Sequence, residues 1–232
     1  MPDSTRYAIY FAPSEHSGLW RFGSSVLGYD ASSGLDLPFR HLVGVDMSRW
    51  PELSADARTY GFHATLKAPF RLSPGMTRDD LFEAIEDMAP RQTPVVLEGV
   101  QATLLGSFVA LTPIGDTQEI DELAFRVTSE LDVVRAPLSE AEMQKRLRHP
   151  LTERQQAHLQ RFGYPYVGED FRFHMTLSGS LPQNLVESVC AALQRAFAED
   201  VPTQTVDIDA LTVFEQSESG SRFRITERFP LG

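Results

Sequence analysis

The sequence predicts an α+β fold of duplicated two-lobe architecture, with largely antiparallel sheets and outer helices. Three observations predict it. The stretch Phe62-His63-Ala64-Thr65-Leu66 recurs as Phe173-His174-Met175-Thr176-Leu177, and only the middle residue differs. Each copy lies in a short apolar run of β character. Each half of the chain then repeats one order, strand, helix, motif strand, helix, strand, with a hairpin partner following. This is an internal duplication of supersecondary structure.

The elements follow in chain order. Residues 6–11 (Arg-Tyr-Ala-Ile-Tyr-Phe) are rich in β-formers and stop at Pro13, which predicts the first strand. Residues 16–27 read as a helix with Trp20, Val26 and Leu27 inward, ended by Gly28. Residues 29–59 are punctuated by Gly, Ser and Pro and read as loop, with a helical turn near 55–58; His41 within it reads as surface or structural. The first motif strand spans 62–70. Thr77 is the expected N-cap of a helix carrying Leu81, Phe82, Ile85 and Met88, with Asp79 and Asp80 suiting its dipole and Pro90 ending it. Residues 95–105 and 108–113 form a hairpin around Gly106-Ser107.

The second half opens with an amphipathic helix over 119–134, through Ile120, Leu123, Val127 and Leu131. An insertion follows at 136–170, with one helix starting at Ser139 and another over 152–162. The second motif strand spans 171–177, and Pro182 opens a helix carrying Leu185, Val189, Leu193 and Phe197. Cys190 in that helix sits among apolar residues and reads as packing. A last hairpin joins 205–214 to 222–229. The expected unit is a single bilobal domain over 1–232, with lobes 1–113 and 114–232.

Composition narrows the function. At 42% hydrophobic and 23% charged, the chain is an ordinary globular one. A net charge of −11 argues against broad binding to long nucleic acid, which needs a basic face. One cysteine excludes a disulfide framework and a cysteine-rich zinc site. No apolar run reaches the length of a membrane span, and residues 1–11 show no signal-peptide pattern, so cytoplasmic residence is the expectation.

In a strand, alternate side chains share a face, so His63 pairs with Thr65 and His174 with Thr176. A lone strand histidine is usually a packing or surface residue. Two copies in matching contexts point to one site between the lobes. Two imidazoles flanking one centre suit phosphoester transfer: one, neutral, takes a proton from the attacking oxygen, and the other protonates the leaving oxygen. The threonine hydroxyls suit the non-bridging oxygens, where negative charge concentrates. This chemistry calls for no metal and no cofactor. The site partner is expected to be a small phosphorylated substrate, with a short RNA end as another option.

The flanking residues add candidates. Strand alternation keeps Lys67 on the Thr65 face and Arg172 on the His174 face. Tyr7 and Tyr10 on the first strand are candidates to line the cleft, with core packing expected for at least one. The insertion carries Lys145, Arg146, Arg148, His149, Arg154 and Arg161, a local positive patch in an acidic chain. It is either a solvated helical face or a side wall that holds a second phosphate, with Arg146 and Arg148 as the residues named for that role.

The paired His63-Ala64-Thr65-Leu66 and His174-Met175-Thr176-Leu177 resemble the signature of the two-histidine (2H) phosphoesterase superfamily. The resemblance implies a metal-independent cyclic phosphodiesterase, with His63 and His174 as the acid–base pair and Thr65 and Thr176 as phosphate ligands. The opening Arg-Tyr-Ala-Ile-Tyr-Phe-Ala-Pro and the flanks of both motifs resemble a branch associated with bacterial phosphonate-utilisation gene clusters. That resemblance implies a ribosyl cyclic phosphate as substrate. Two-histidine enzymes also include RNA 2′-5′ ligase-like members that act on RNA ends. Two further readings are a metal hydrolase that uses the histidines as ligands and a non-catalytic module that binds a phosphorylated metabolite.

Overall fold

The computed structural model describes residues 5–148 and 150–232. His149 lies outside the described residues. Among the described residues there are eleven strands: β1 (Arg6–Phe11), β2 (Tyr29–Asp30), β3 (Leu35–Asp36), β4 (Ala64–Phe70), β5 (Val95–Leu97), β6 (Gly99–Leu105), β7 (Phe108–Ile114), β8 (Met175–Thr176), β9 (Val206–Ile208), β10 (Ala210–Gln216) and β11 (Arg224–Pro230). The helices are α1 (Gly18–Leu27), α2 (Trp50–Leu53), α3 (Ala55–Tyr60), α4 (Arg78–Met88), α5 (Gln118–Glu130), α6 (Glu140–Arg146), α7 (Glu153–Phe162) and α8 (Val186–Asp200).

Local chemistry explains the helix ends. Ser17 caps α1 by accepting from the Trp20 backbone, and Gly28 closes it in the left-handed region that suits glycine. Thr77 with Asp80, Ser139 with Glu142 and Thr152 with Gln155 form reciprocal capping boxes at α4, α6 and α7.

Seven strands form one sheet in the order β11-β10-β1-β4-β8-β7-β6. Every neighbouring pair is antiparallel. The two motif strands β4 and β8 are adjacent at its centre, joined through Ala64 and Met175. They therefore stand side by side in one sheet rather than on two separate sheets. Helix α5 packs against β4, and α8 against β6 and β7. A continuous core fills the space between, with Leu66, Leu111, Leu123, Val127, Met175 and Leu193 all 3% exposed or less.

Three expectations change. The halves of the sheet do not follow lobes 1–113 and 114–232, because the hairpins are exchanged. The β6–β7 hairpin joins β8, and the β10–β11 hairpin joins β1. The strands expected over 95–105 and 205–214 are each broken by one residue, at Glu98 and Asp209, and the detached β5 and β9 pair with each other. The second motif strand is short: only Met175–Thr176 carries regular ladder structure, and the Phe171 and Arg172 carbonyls before it accept from the Arg172 guanidinium and from His174 Nδ1 instead.

Candidate active site

The Phe before each motif histidine anchors it from below. Phe62 and Phe173 are buried, and the Phe62 ring lies flat against Gly23 of α1, where any Cβ would overlap it. The histidine then projects to the other side. Nδ1 of His63 lies 2.9 Å from the Gly61 carbonyl, and Nδ1 of His174 lies 2.7 Å from the Arg172 carbonyl. Each ring thus donates Nδ1–H to the carbonyl two residues back. This sets the same tautomer in both copies, with Nε2 left as the basic nitrogen. His63 Nε2 accepts from Thr65 Oγ1 at 3.2 Å.

The Ala64–Met175 pairing places residue 63 across from 176 and residue 65 across from 174. The two histidines stand on a diagonal of this rectangle, about 7–8 Å apart at the backbone. His63, Thr65 and Thr176 line a cleft of about 640 Å³, a size suited to a nucleotide-scale ligand. His174 does not itself line this cleft; its ring neighbour Phe108 does.

The two histidines differ in setting. His63 stacks on Tyr10, with ring centroids 3.7 Å apart, and Phe214 closes its flank at 5.8 Å. One edge of the ring remains open to the cleft. Burial pushes its pKa down to about 4 against the pull of the Gly61 carbonyl, and the charge of His174 lowers it further. His63 is therefore neutral at pH 7. His174 has Phe108 as its ring neighbour at 5.9 Å.

Several expected residues are elsewhere. Lys67 does not share the Thr65 face. Tyr10 pairs with Thr65 and Ile9 with Lys67, so Leu66 is an extra residue and a β-bulge turns Lys67 to the opposite side. There it is 3% exposed, donates to the Thr128 carbonyl at 2.9 Å and pairs with Asp132 at 3.3 Å. Arg172 turns its guanidinium back to the carbonyls of Glu169 and Phe171, so it serves His174 through its backbone alone. Tyr7 points away from the cleft because it lies three positions from Tyr10 on a regular strand; it pairs with Phe70 on the core side. Arg146 lines the cleft, with its guanidinium 5.1 Å from the Tyr164 ring. Arg148 is exposed and does not line it. Lys145 from the insertion lines it as well.

Sequence reasoning missed Arg6, Tyr60, Tyr164 and Ser178, all in the cleft wall. Strand alternation carries a signal for two of them: Arg6 is four residues from Tyr10, and Ser178 two from Thr176. Ser178 is buried and donates to the Gly179 carbonyl while accepting from the Val109 backbone. Among the described residues, no group of three or more His, Cys, Asp or Glu side chains is placed to hold a metal ion. Nor, among them, is any helix long and apolar enough to cross a membrane.

Such an arrangement can move protons on both sides of a phosphorus centre while hydroxyls hold its oxygens. Residues 65–224 match the model of a family described as "Protein of unknown function (DUF1045)". The chain is 40% identical over 229 residues to "Ribose 1,5-bisphosphate phosphokinase PhnN" of Janthinobacterium sp. (strain Marseille), covering 97% of this chain and 51% of that protein. It is 34% identical over 220 residues to the protein of the same name from Laribacter hongkongensis (strain HLHK9), covering 95% and 50%. The chain thus spans about half the length of these curated relatives. Among solved structures, E. coli LigT complexed with 3′-AMP is similar at 15% identity and a TM-score of 0.45, over 98% of each chain.

Proposed function

We propose that this chain, which belongs to the DUF1045 family, is a metal-independent phosphoesterase that opens a small cyclic phosphodiester. The observation that carries the reading is the Ala64–Met175 pairing, which sets two identical His-x-Thr pairs side by side, each with Nδ1 engaged on the carbonyl two residues back. His63, neutral through burial, takes a proton from water as its oxygen attacks phosphorus. His174 protonates the ester oxygen as its bond to phosphorus breaks. Thr65 and Thr176 donate to the non-bridging oxygens. The product is a phosphomonoester with one hydroxyl freed.

A ribose cyclic phosphate is the substrate class we favour, and the name of the curated relatives, which concerns a ribose bisphosphate, supports the ribose part of it. Their phosphokinase activity is not carried over. A phosphate loop ends in Gly-Lys-Ser/Thr, and neither lysine of this chain, Lys67 or Lys145, follows a glycine. A non-catalytic module binding a phosphorylated metabolite would use the same groups, and an RNA-end phosphodiesterase would share the chemistry.

The test is a hydrolysis panel run with EDTA, using 2′,3′-cyclic nucleotides, ribosyl cyclic phosphates and a short cyclic-phosphate-ended RNA. Turnover by the wild type that is lost in His63→Ala and in His174→Ala supports the reading and names the substrate. Binding without turnover on every compound moves the assignment to the binding module. Activity that EDTA abolishes and zinc restores rules out the metal-free mechanism.

A further inference from the structure

The cleft is lined by more than the His-x-Thr residues, and part of its wall is cationic. Arg6 and Arg146 both line it. Arg6 comes from the start of β1, and four residues of strand, ~14 Å, separate it from Tyr10 beneath His63. Its Nε donates to Gln216 Oε1 at 2.8 Å, and its guanidinium lies 5.5 Å from the Phe223 ring. Arg146 comes from the last turn of α6, with its guanidinium over Tyr164.

Neither arginine makes an ion pair with a carboxylate among the described residues, whereas most other arginines of this acidic chain do. The carboxylates that line the cleft are not available to them. Glu142 is held by Arg71 and by the Ser139 cap. Asp56 sits on α3 beside Gly179, toward the motif end. The two guanidiniums border one aromatic wall of the same cleft: Arg6 lies over Phe223, which stacks on Tyr60 at 5.2 Å, and Arg146 lies over Tyr164. Tyr60 and Tyr164 add phenols to the same wall. Two half-buried guanidiniums against aromatic rings, with no acid partner and with phenol donors beside them, are suited to a phosphate dianion.

We infer that Arg6 and Arg146 form a second anion subsite, which takes a terminal phosphomonoester of the substrate while the His-x-Thr pairs take the cyclic phosphate. This rests on the proposed phosphodiesterase reading and narrows it to a cyclic phosphodiester that carries a second phosphate on the same sugar.

The test compares a 2′,3′-cyclic nucleotide with the same compound bearing a 5′-phosphate. Both are measured on the full chain by kcat/KM and by calorimetric affinity. In the wild type the 5′-phosphate is expected to raise both by about 10–100-fold, the range of a charge-assisted contact. In Arg6→Gln and in Arg146→Gln the ratio between the two compounds is expected to fall toward one, with folding checked by thermal melts. Equal values for the two compounds in the wild type, or a preference that survives both substitutions, overturns the subsite. If neither compound is turned over, the phosphodiesterase reading fails, and the affinity ratio still decides the subsite by itself.

Discussion

Ala64 and Met175, the variable middle residues of the two motifs, are antiparallel cross-strand partners at the centre of the sheet. Their own side chains are fully buried. What their pairing fixes lies on the other face, where each histidine comes to stand across from the other copy's threonine. The positions free to vary between the copies are thus the ones that hold the two copies in register.

Thr65 both donates to His63 Nε2 and faces the cleft. Thr65→Val keeps the shape and removes the hydroxyl. We expect kcat to fall about 10²-fold or more, with a smaller effect on KM, because the donor acts on charge that grows in the transition state. Steady-state kinetics on the substrate found by the hydrolysis panel measure it. An unchanged kcat removes Thr65 from the mechanism.

The His63 ring has its pKa lowered to about 4, below the ordinary value of about 6.5. Between these values the unfolded chain binds a proton that the folded chain does not. The resulting stability is full above about pH 6.5 and is lost as pH falls toward 4. It amounts to at most about 3 kcal/mol, less what the open edge of the ring gives back to solvent. Denaturant melts of wild type and His63→Gln across pH 4–7 should converge as pH falls. Parallel pH dependence in the two proteins counts against a buried neutral His63. On the kinetic side, kcat/KM should hold well below pH 6.5 before its acid limb begins.

Gly23 is needed because the Phe62 ring occupies the place of any Cβ there, as close as 2.2 Å. In an exposed helix Gly→Ala would stabilise. Here Gly23→Ala must push Phe62 aside, and His63 moves with it. We expect a loss of about 1–3 kcal/mol together with a fall in kcat, read by thermal melts and kinetics. A stabilised, fully active variant would show that the helix and motif are not in such contact.

Lys67 and Asp132 separate a structural ion pair from a catalytic one. Burial lowers the Lys67 pKa to about 8, with Asp132 acting to raise it. Asp132→Asn leaves the ammonium without its anion and should cost about 3 kcal/mol; Lys67→Met removes the buried charge altogether and should cost less. Because the pair lies on the helix side of β4, substrate affinity in Lys67→Met should stay within a few-fold of wild type. A KM raised by 10-fold or more would return Lys67 to the site.

Much of the molecule was legible because its signals are local. The α4, α6 and α7 starts followed from Thr77, Ser139 and Thr152, whose caps involve only the next turn of chain. The His-x-Thr faces followed from the two-residue period of a strand. The same period misplaced Lys67, because a bulge depends on the partner strand, and Leu66 carries no mark of being the extra residue. It also separates Tyr7 from Tyr10, which a parity count on residues 6–11 would have shown.

By itself the sequence determined the α+β class, the duplication, and the two histidine–threonine pairs. Each of these is written in short-range periodicity or direct repetition. Tertiary packing alone set the exchange of hairpins, the Ala64–Met175 register, the ring neighbours that make the setting of His63 unlike that of His174, and the placing of Arg6 and Arg146 on one cleft across 140 residues of chain. Strand pairing and burial are set by which distant surfaces pack together, and that free energy is shared over the whole core rather than carried by any one segment.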